Sequence, residues 1–145
     1  MPLSIFANII PARNNNSRRA HLMTKSNSQF LTQLEATELQ DGTWRLDRPL
    51  FYFSSRINST LFVPAGFTTN FMSVPRWPFV YAWLGDKYRR AGALHDYLYG
   101  SGCVSRYEAD MILREAMDSL GASTTEINAC WLAVRIGGWS RYGIK

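Results

Sequence analysis

Apolar residues recur along this chain with two different periods, and the change between them divides it. Leu31, Gln33, Glu35 and Thr37 alternate with their neighbours from Gln29 as far as Asp41-Gly42, a dipeptide that favours tight turns, and Trp44-Arg45-Leu46 resumes an extended run. That pattern predicts a hairpin. Leu50–Phe53 and Thr60–Val63 are rich in aromatic and β-branched residues and flank a polar loop, so they predict two further strands of the same small antiparallel sheet, ended by Pro64 and Gly66.

Later the period lengthens to that of a helix. Asp86 is a candidate N-cap for a helix over Lys87–Tyr99, closed by Gly100 and Gly102. Ser105-Arg106-Tyr107-Glu108 has the form of a capping box for a second helix to about Leu120, stopped by Gly121. Ser123-Thr124-Thr125-Glu126 repeats the signal for a third, Thr124–Ile136, in which Ile127, Cys130, Trp131 and Val134 recur at helical spacing. A small antiparallel sheet in the N-terminal half packed with about three helices in the C-terminal half is an α+β layout.

Composition changes this picture in one place. A chain of 145 residues that is 46% hydrophobic can supply the core of a single domain, and the net charge of +5 is distributed unevenly. Arg13, Arg18, Arg19 and Lys25 meet no acidic residue before position 28, so residues 1–27 carry +4 and the remainder +1. The expected division is therefore a basic polar arm over 1–27, docking on a partner through those four cations, and one α+β domain over 28–145. Charges diluted by Asn14-Asn15-Asn16-Ser17, with no aromatic residue among them to stack on bases, argue against nucleic acid as that partner. No run approaches the roughly eighteen apolar residues of a membrane helix, and the first ten residues lack the form of a secretory signal, so folding in a cytoplasm is expected. Cys103 and Cys130 fit no paired ligand spacing and are expected to be reduced thiols.

The candidate chemistry centres on His95 and Asp96. Tyr88, Ala91, Gly92 and Tyr99 share the His95 face, and Gly92 leaves a gap there that signals close approach of another backbone or of a ligand. A partly buried His beside a carboxylate needs polar groups, a metal or water around it. Asp110 belongs to the next helix, which a short connection makes near-antiparallel. It falls at the edge of a stripe formed by Ala109, Ile112, Leu113, Ala116 and Met117, from where it could face His95 or pair locally with Arg106. The loop Phe62–Arg76 has two prolines around Gly66 and can present Thr69, Asn70 and Ser73. Its alternative is a structural turn capped by Ser73, with Trp77, Phe79, Tyr81 and Trp83 as core.

Val-Pro-Ala-Gly-Phe-Thr-Thr-Asn with Ser-Val-Pro-Arg, His-Asp-Tyr-Leu-Tyr and Ser-Arg-Tyr-Glu-Ala-Asp together resemble the phage and prophage family known as domain of unknown function 1353, from about Asp41 to Gly138. The resemblance implies a phage context and a His-Asp helix without an assigned reaction. Asn70 stands where the family pattern usually has Asp, which would weaken a hard metal site built with His95, Asp96 and Asp110. The His-Asp helix is also similar to that of phospholipases in which a following Tyr and an Asp from an antiparallel helix accompany the His. That likeness implies His95 as activator of water, Asp110 as its orienter and Asp96 as a calcium ligand.

Two functions follow as expectations. In the favoured one, since the named residues supply neither a nucleophile nor a complete metal set, the protein is a virion-associated tail or baseplate component whose partners are other phage structural proteins or copies of itself, and His95, Asp96, Arg106 and Asp110 form a buried network. In the other it is a hydrolase of the host envelope, acting on peptidoglycan or lipid with a divalent cation as cofactor. Thr69, Asn70, Ser73, Tyr99 and Arg106 are then the binding residues.

Overall fold

A computed structural model describes residues 9–11, 27–71, 85–138 and 142. The architecture is α+β. Among the described residues, strands β1 (Ile9–Pro11), β2 (Gln29–Phe30), β3 (Ala36–Glu38), β4 (Trp44–Leu46), β5 (Leu50–Ser54), β6 (Ser59–Val63) and β7 (Thr68–Thr69) precede three helices, α1 (Arg89–Ser101), α2 (Arg106–Ser119) and α3 (Thr124–Gly137).

The strands form two antiparallel sheets instead of one, in the orders β1-β6-β5-β2 and β3-β4-β7. The hairpin at Asp41-Gly42 is present, with Gly42 at φ 78 and the Asp41 carboxylate accepting from Thr43 N and Oγ1. The run at Gln29 does not belong to it. Gln29 and Phe30 pair with Phe53 and Tyr52, where the Phe30 ring packs on Tyr52 at 4.7 Å, a cross-strand aromatic contact that stabilises the ladder. Within the arm, Ile9–Pro11 ladder onto Ser59–Leu61 of the same chain, whereas Arg13, Arg18, Arg19 and Lys25 lie outside the described residues. So do Ser73 and the aromatic residues from Trp77 to Trp83.

A 3-10 turn over Gly85–Tyr88 delays the start of α1, whose N-cap is Tyr88 and not Asp86. Ser105 caps α2 by accepting from Glu108 N, and Ser123 and Glu126 complete a reciprocal capping box on α3. Leu50, Tyr52, Leu61 and Val63 from the larger sheet pack with Leu94, Leu98, Ile112 and Met117 from the helices in one core. Gly92 serves the close approach expected of it: the neighbour is backbone, since a Cβ there would lie 1.8 Å from the Phe71 carbonyl oxygen. Among the described residues, no helix is long and apolar enough to cross a membrane.

Candidate active site

His95 and Asp110 face one another across α1 and α2, with Nε2 2.9 Å from Oδ1. Tyr99, one turn beyond His95 on the same face, donates its hydroxyl to that same oxygen at 2.5 Å, and the His95 and Tyr99 rings lie 4.2 Å apart. Arg135 Nη1 donates to Oδ2 at 2.9 Å. Asp110 is 0% exposed and His95 3% exposed, so the carboxylate expected at the edge of a stripe sits in the interior. The reason is α3, which covers that edge and delivers Arg135.

Burial alone would raise the pKa of Asp110. The bonds from His95, Tyr99 and Arg135 outweigh it and hold the carboxyl below its ordinary value. Burial and the bond to Asp110 push the Tyr99 phenol up. An ionised Asp110 only accepts, so His95 must donate from Nε2, and in the neutral ring the lone pair is then on Nδ1. Among the described residues Nδ1 has no hydrogen bond. Beside the ring is a cavity bordered by Phe71, Gly92, His95 and Asp96, with about 10 Å³ of room for water centres, the scale of a single water molecule.

Asp96 leaves this cluster because consecutive helical residues diverge by about 100°. Its Oδ2 accepts from Thr69 Oγ1 at 2.5 Å, and Thr69 Oγ1 accepts in turn from Phe71 N at 2.8 Å. Phe71, at φ 62, brings the chain back against α1. Asp96, Thr69, Asn70 and Tyr99 border an open groove of about 320 Å³. The structure thus joins Thr69 and Asn70 to the His-Asp helix, with Asn70 exposed, while Ser73 is outside the described residues.

His95, Asp96 and Asp110 do not converge as one ligand set. No group of three His, Cys, Asp or Glu side chains among the described residues is placed to hold an ion. Asp110 has given both oxygens to donors, and Asp96 faces the groove. The groove is bordered by one carboxylate, Asp96, already bonded to Thr69, and by the polar side chain of Asn70.

In place of the local pair with Asp110 that the spacing offered, Arg106 bonds beyond its own helix. It reaches Tyr99 Oη at 3.3 Å and the carbonyls of Val134 and Arg135 at 3.2 and 2.5 Å, where the C-terminal end of α3 attracts a cation. Arg135 was not singled out by the sequence, since a basic residue in a last helical turn signals only the helix dipole. Cys103 and Cys130 are free thiols, and burial pushes Cys130 up to about 12, leaving it unreactive.

Residues 44–134 match the family model of a protein of unknown function, DUF1353. The chain belongs to the DUF1353 family. No curated protein and no solved structure matches it. The DUF1353 segment contains Thr69, Asn70, His95, Asp96, Tyr99, Arg106 and Asp110, and it ends one residue before Arg135.

Proposed function

We propose that this DUF1353 protein is a phage or prophage hydrolase that cleaves an acyl bond in the lipid or peptidoglycan of a host envelope. The observation that carries the reading is Asp110 Oδ1, which accepts from both His95 Nε2 and Tyr99 Oη and so leaves Nδ1 as the basic atom of His95. A water placed at Nδ1 gives its proton to that atom as its oxygen attacks the substrate carbonyl carbon. The imidazolium formed is stabilised by the Asp110 carboxylate, and Nδ1 then returns the proton to the leaving group. Arg135 and Tyr99 keep Asp110 ionised and oriented throughout. A divalent cation held by Asp96, Thr69 and Asn70 would supply a positive charge for the oxyanion.

The test is release of fatty acid from phospholipid vesicles, or of fragments from peptidoglycan, with calcium, magnesium or zinc present. Hydrolysis that falls by about a hundred-fold or more in His95→Gln supports the reading. Hydrolysis of neither substrate, or equal rates in the two proteins, overturns it.

A second reading, a virion-associated tail or baseplate component, is favoured by the closure of the same network. A carboxylate that is 0% exposed, standing on α2 and bonded from α1 and α3, can act purely as a clamp, with Arg13, Arg18, Arg19 and Lys25 docking on neighbouring subunits. Presence of the protein in purified virions, at constant stoichiometry and with normal infectivity of a His95→Gln phage, would favour this reading over catalysis.

A further inference from the structure

Arg106 opens α2 one turn before Asp110, and its half-buried guanidinium bonds to groups on the two neighbouring helices. On α1, Tyr99 Oη accepts from its Nε at 3.3 Å; on α3, the carbonyl oxygens of Val134 and Arg135 accept from its Nη2. Tyr99 and Arg135 are also the residues that, with His95, donate to Asp110. One side chain therefore fastens both of the groups that hold the carboxylate to which His95 is bonded.

A phenol oxygen has one proton to give and lone pairs with which to accept. With Arg106 donating to a lone pair of Tyr99, the hydroxyl proton is left directed at Asp110 Oδ1, and a donor on the oxygen strengthens the bond that the hydroxyl gives. The ring is enclosed as well. A Cβ on Gly138, the C-cap of α3, would lie 2.8 Å from Tyr99 Cε1 and 2.9 Å from Oη, and the Tyr142 ring meets Tyr99 edge-on at 5.7 Å. For Arg135 the effect runs through the backbone: Arg106 holds its carbonyl while its own guanidinium reaches Asp110 Oδ2 at 2.9 Å, so the end of α3 is set where that side chain can span the gap. Arginine suits both tasks because its planar fork directs Nε and Nη2 to separate acceptors, whereas a lysine ammonium is a point charge.

We propose that Arg106 is a positioning residue for the His95–Asp110 pair, acting through Tyr99 and Arg135 to hold the carboxylate in line with His95 Nε2 and not itself touching substrate. With Asp110 so held, the Nε2 proton is kept in place and Nδ1 stays bare. The effect on turnover rests on the hydrolase reading, whereas the geometry of the pair is measurable without a substrate.

Proton NMR of the full chain near neutral pH reads the pair directly, because the enclosed His95 Nε2 proton and Tyr99 hydroxyl proton exchange slowly with solvent. The unsubstituted chain is compared with Arg106→Gln and with Arg106→Lys, each below its thermal midpoint; the lysine keeps a cation for the α3 carbonyls but loses the fork, and it decides alone if the glutamine variant unfolds. Both resonances are expected in the unsubstituted chain. Each folded variant is expected to lose the Tyr99 resonance to exchange and to broaden that of His95, with helical circular dichroism retained. On whichever envelope substrate the unsubstituted chain hydrolyses, kcat should fall about ten-fold with KM within about two-fold, and Arg106→Gln should add no further loss to a chain already carrying Tyr99→Phe and Arg135→Gln. Resonances unchanged in the folded variants overturn the proposal, as does an equal loss of kcat in both backgrounds. A KM that rises with kcat unchanged makes Arg106 a substrate contact and overturns it too. Resonances that respond as expected in a chain that hydrolyses neither phospholipid nor peptidoglycan uphold the role of Arg106 while removing the hydrolase.

Discussion

An alanine at position 92 would set a methyl carbon 1.8 Å from the Phe71 carbonyl oxygen, a contact that only a backbone shift can relieve. Helix propensity favours Ala over Gly by about 1 kcal/mol, yet forcing β7 and its following turn away from α1 costs about 1–3 kcal/mol as an overpacked core does. Gly92→Ala is therefore expected to lower stability in urea; a gain would mean that Phe71 does not press on α1. The glycine was legible in the sequence because a helix interior gives it no other use. Arg135 was not, because its partner is 25 positions away in the chain and only the packing of α3 unites them. Asn70 offers a second test at this scale. Asn70→Asp sets a carboxylate beside Asp96 at the groove, so without metal the thermal midpoint should fall by like-charge repulsion, and calcium should raise it more than in the parent protein. A midpoint indifferent to calcium in both proteins counts against a cation at Asp96.

At the scale of elements, α2 is fastened to the larger sheet through Glu115, which accepts from Ser28 and Ser55 hydroxyls and Arg56 N on Oε1 and from Ser54 on Oε2. Burial would raise its pKa, and those hydrogen bonds outweigh burial to lower it. Asp110 is lowered in the same sense. Both groups bind protons more weakly in the folded chain than in the unfolded one. Their contribution is complete above the ordinary carboxylate pKa of about 4 and is lost as pH falls below it through the folded values. Denaturant midpoints measured from neutrality down to acid should decline through this range, and Glu115→Gln should be less stable at neutral pH with a shallower decline. An equally steep decline in the variant would show that Glu115 is not responsible. The starts of α2 and α3 were readable because Ser105 and Ser123 cap through bonds three residues away, which a short sequence window contains, whereas that of α1, which has no side-chain cap, was not. The division into two sheets was not, since a ladder of two residues such as β2 is decided by Phe30 finding Tyr52.

For the whole molecule, the α+β arrangement followed from the two hydrophobic periods, and the facing of His95 and Asp110 from the short link between their helices. The depth of Asp110 came from α3, whose position no local pattern specifies. That depth bears on the rate at which the molecule comes apart. Its carboxylate gathers bonds from residues on α1 and α3 while standing on α2, so the bonds can all close only after the three helices have docked, late on the folding path. Asp110→Asn should lower stability by about 3 kcal/mol, toward the lesser end for a broken buried pair because the Arg135 side chain is 33% exposed. In stopped-flow measurements that loss should emerge as unfolding accelerated by about a hundred-fold with refolding nearly unchanged. Slowed refolding would instead place the three-helix junction in the folding nucleus. With late closure, the buried carboxylate sets how long each folded copy survives before it opens, and leaves the speed at which new copies form to the rest of the chain.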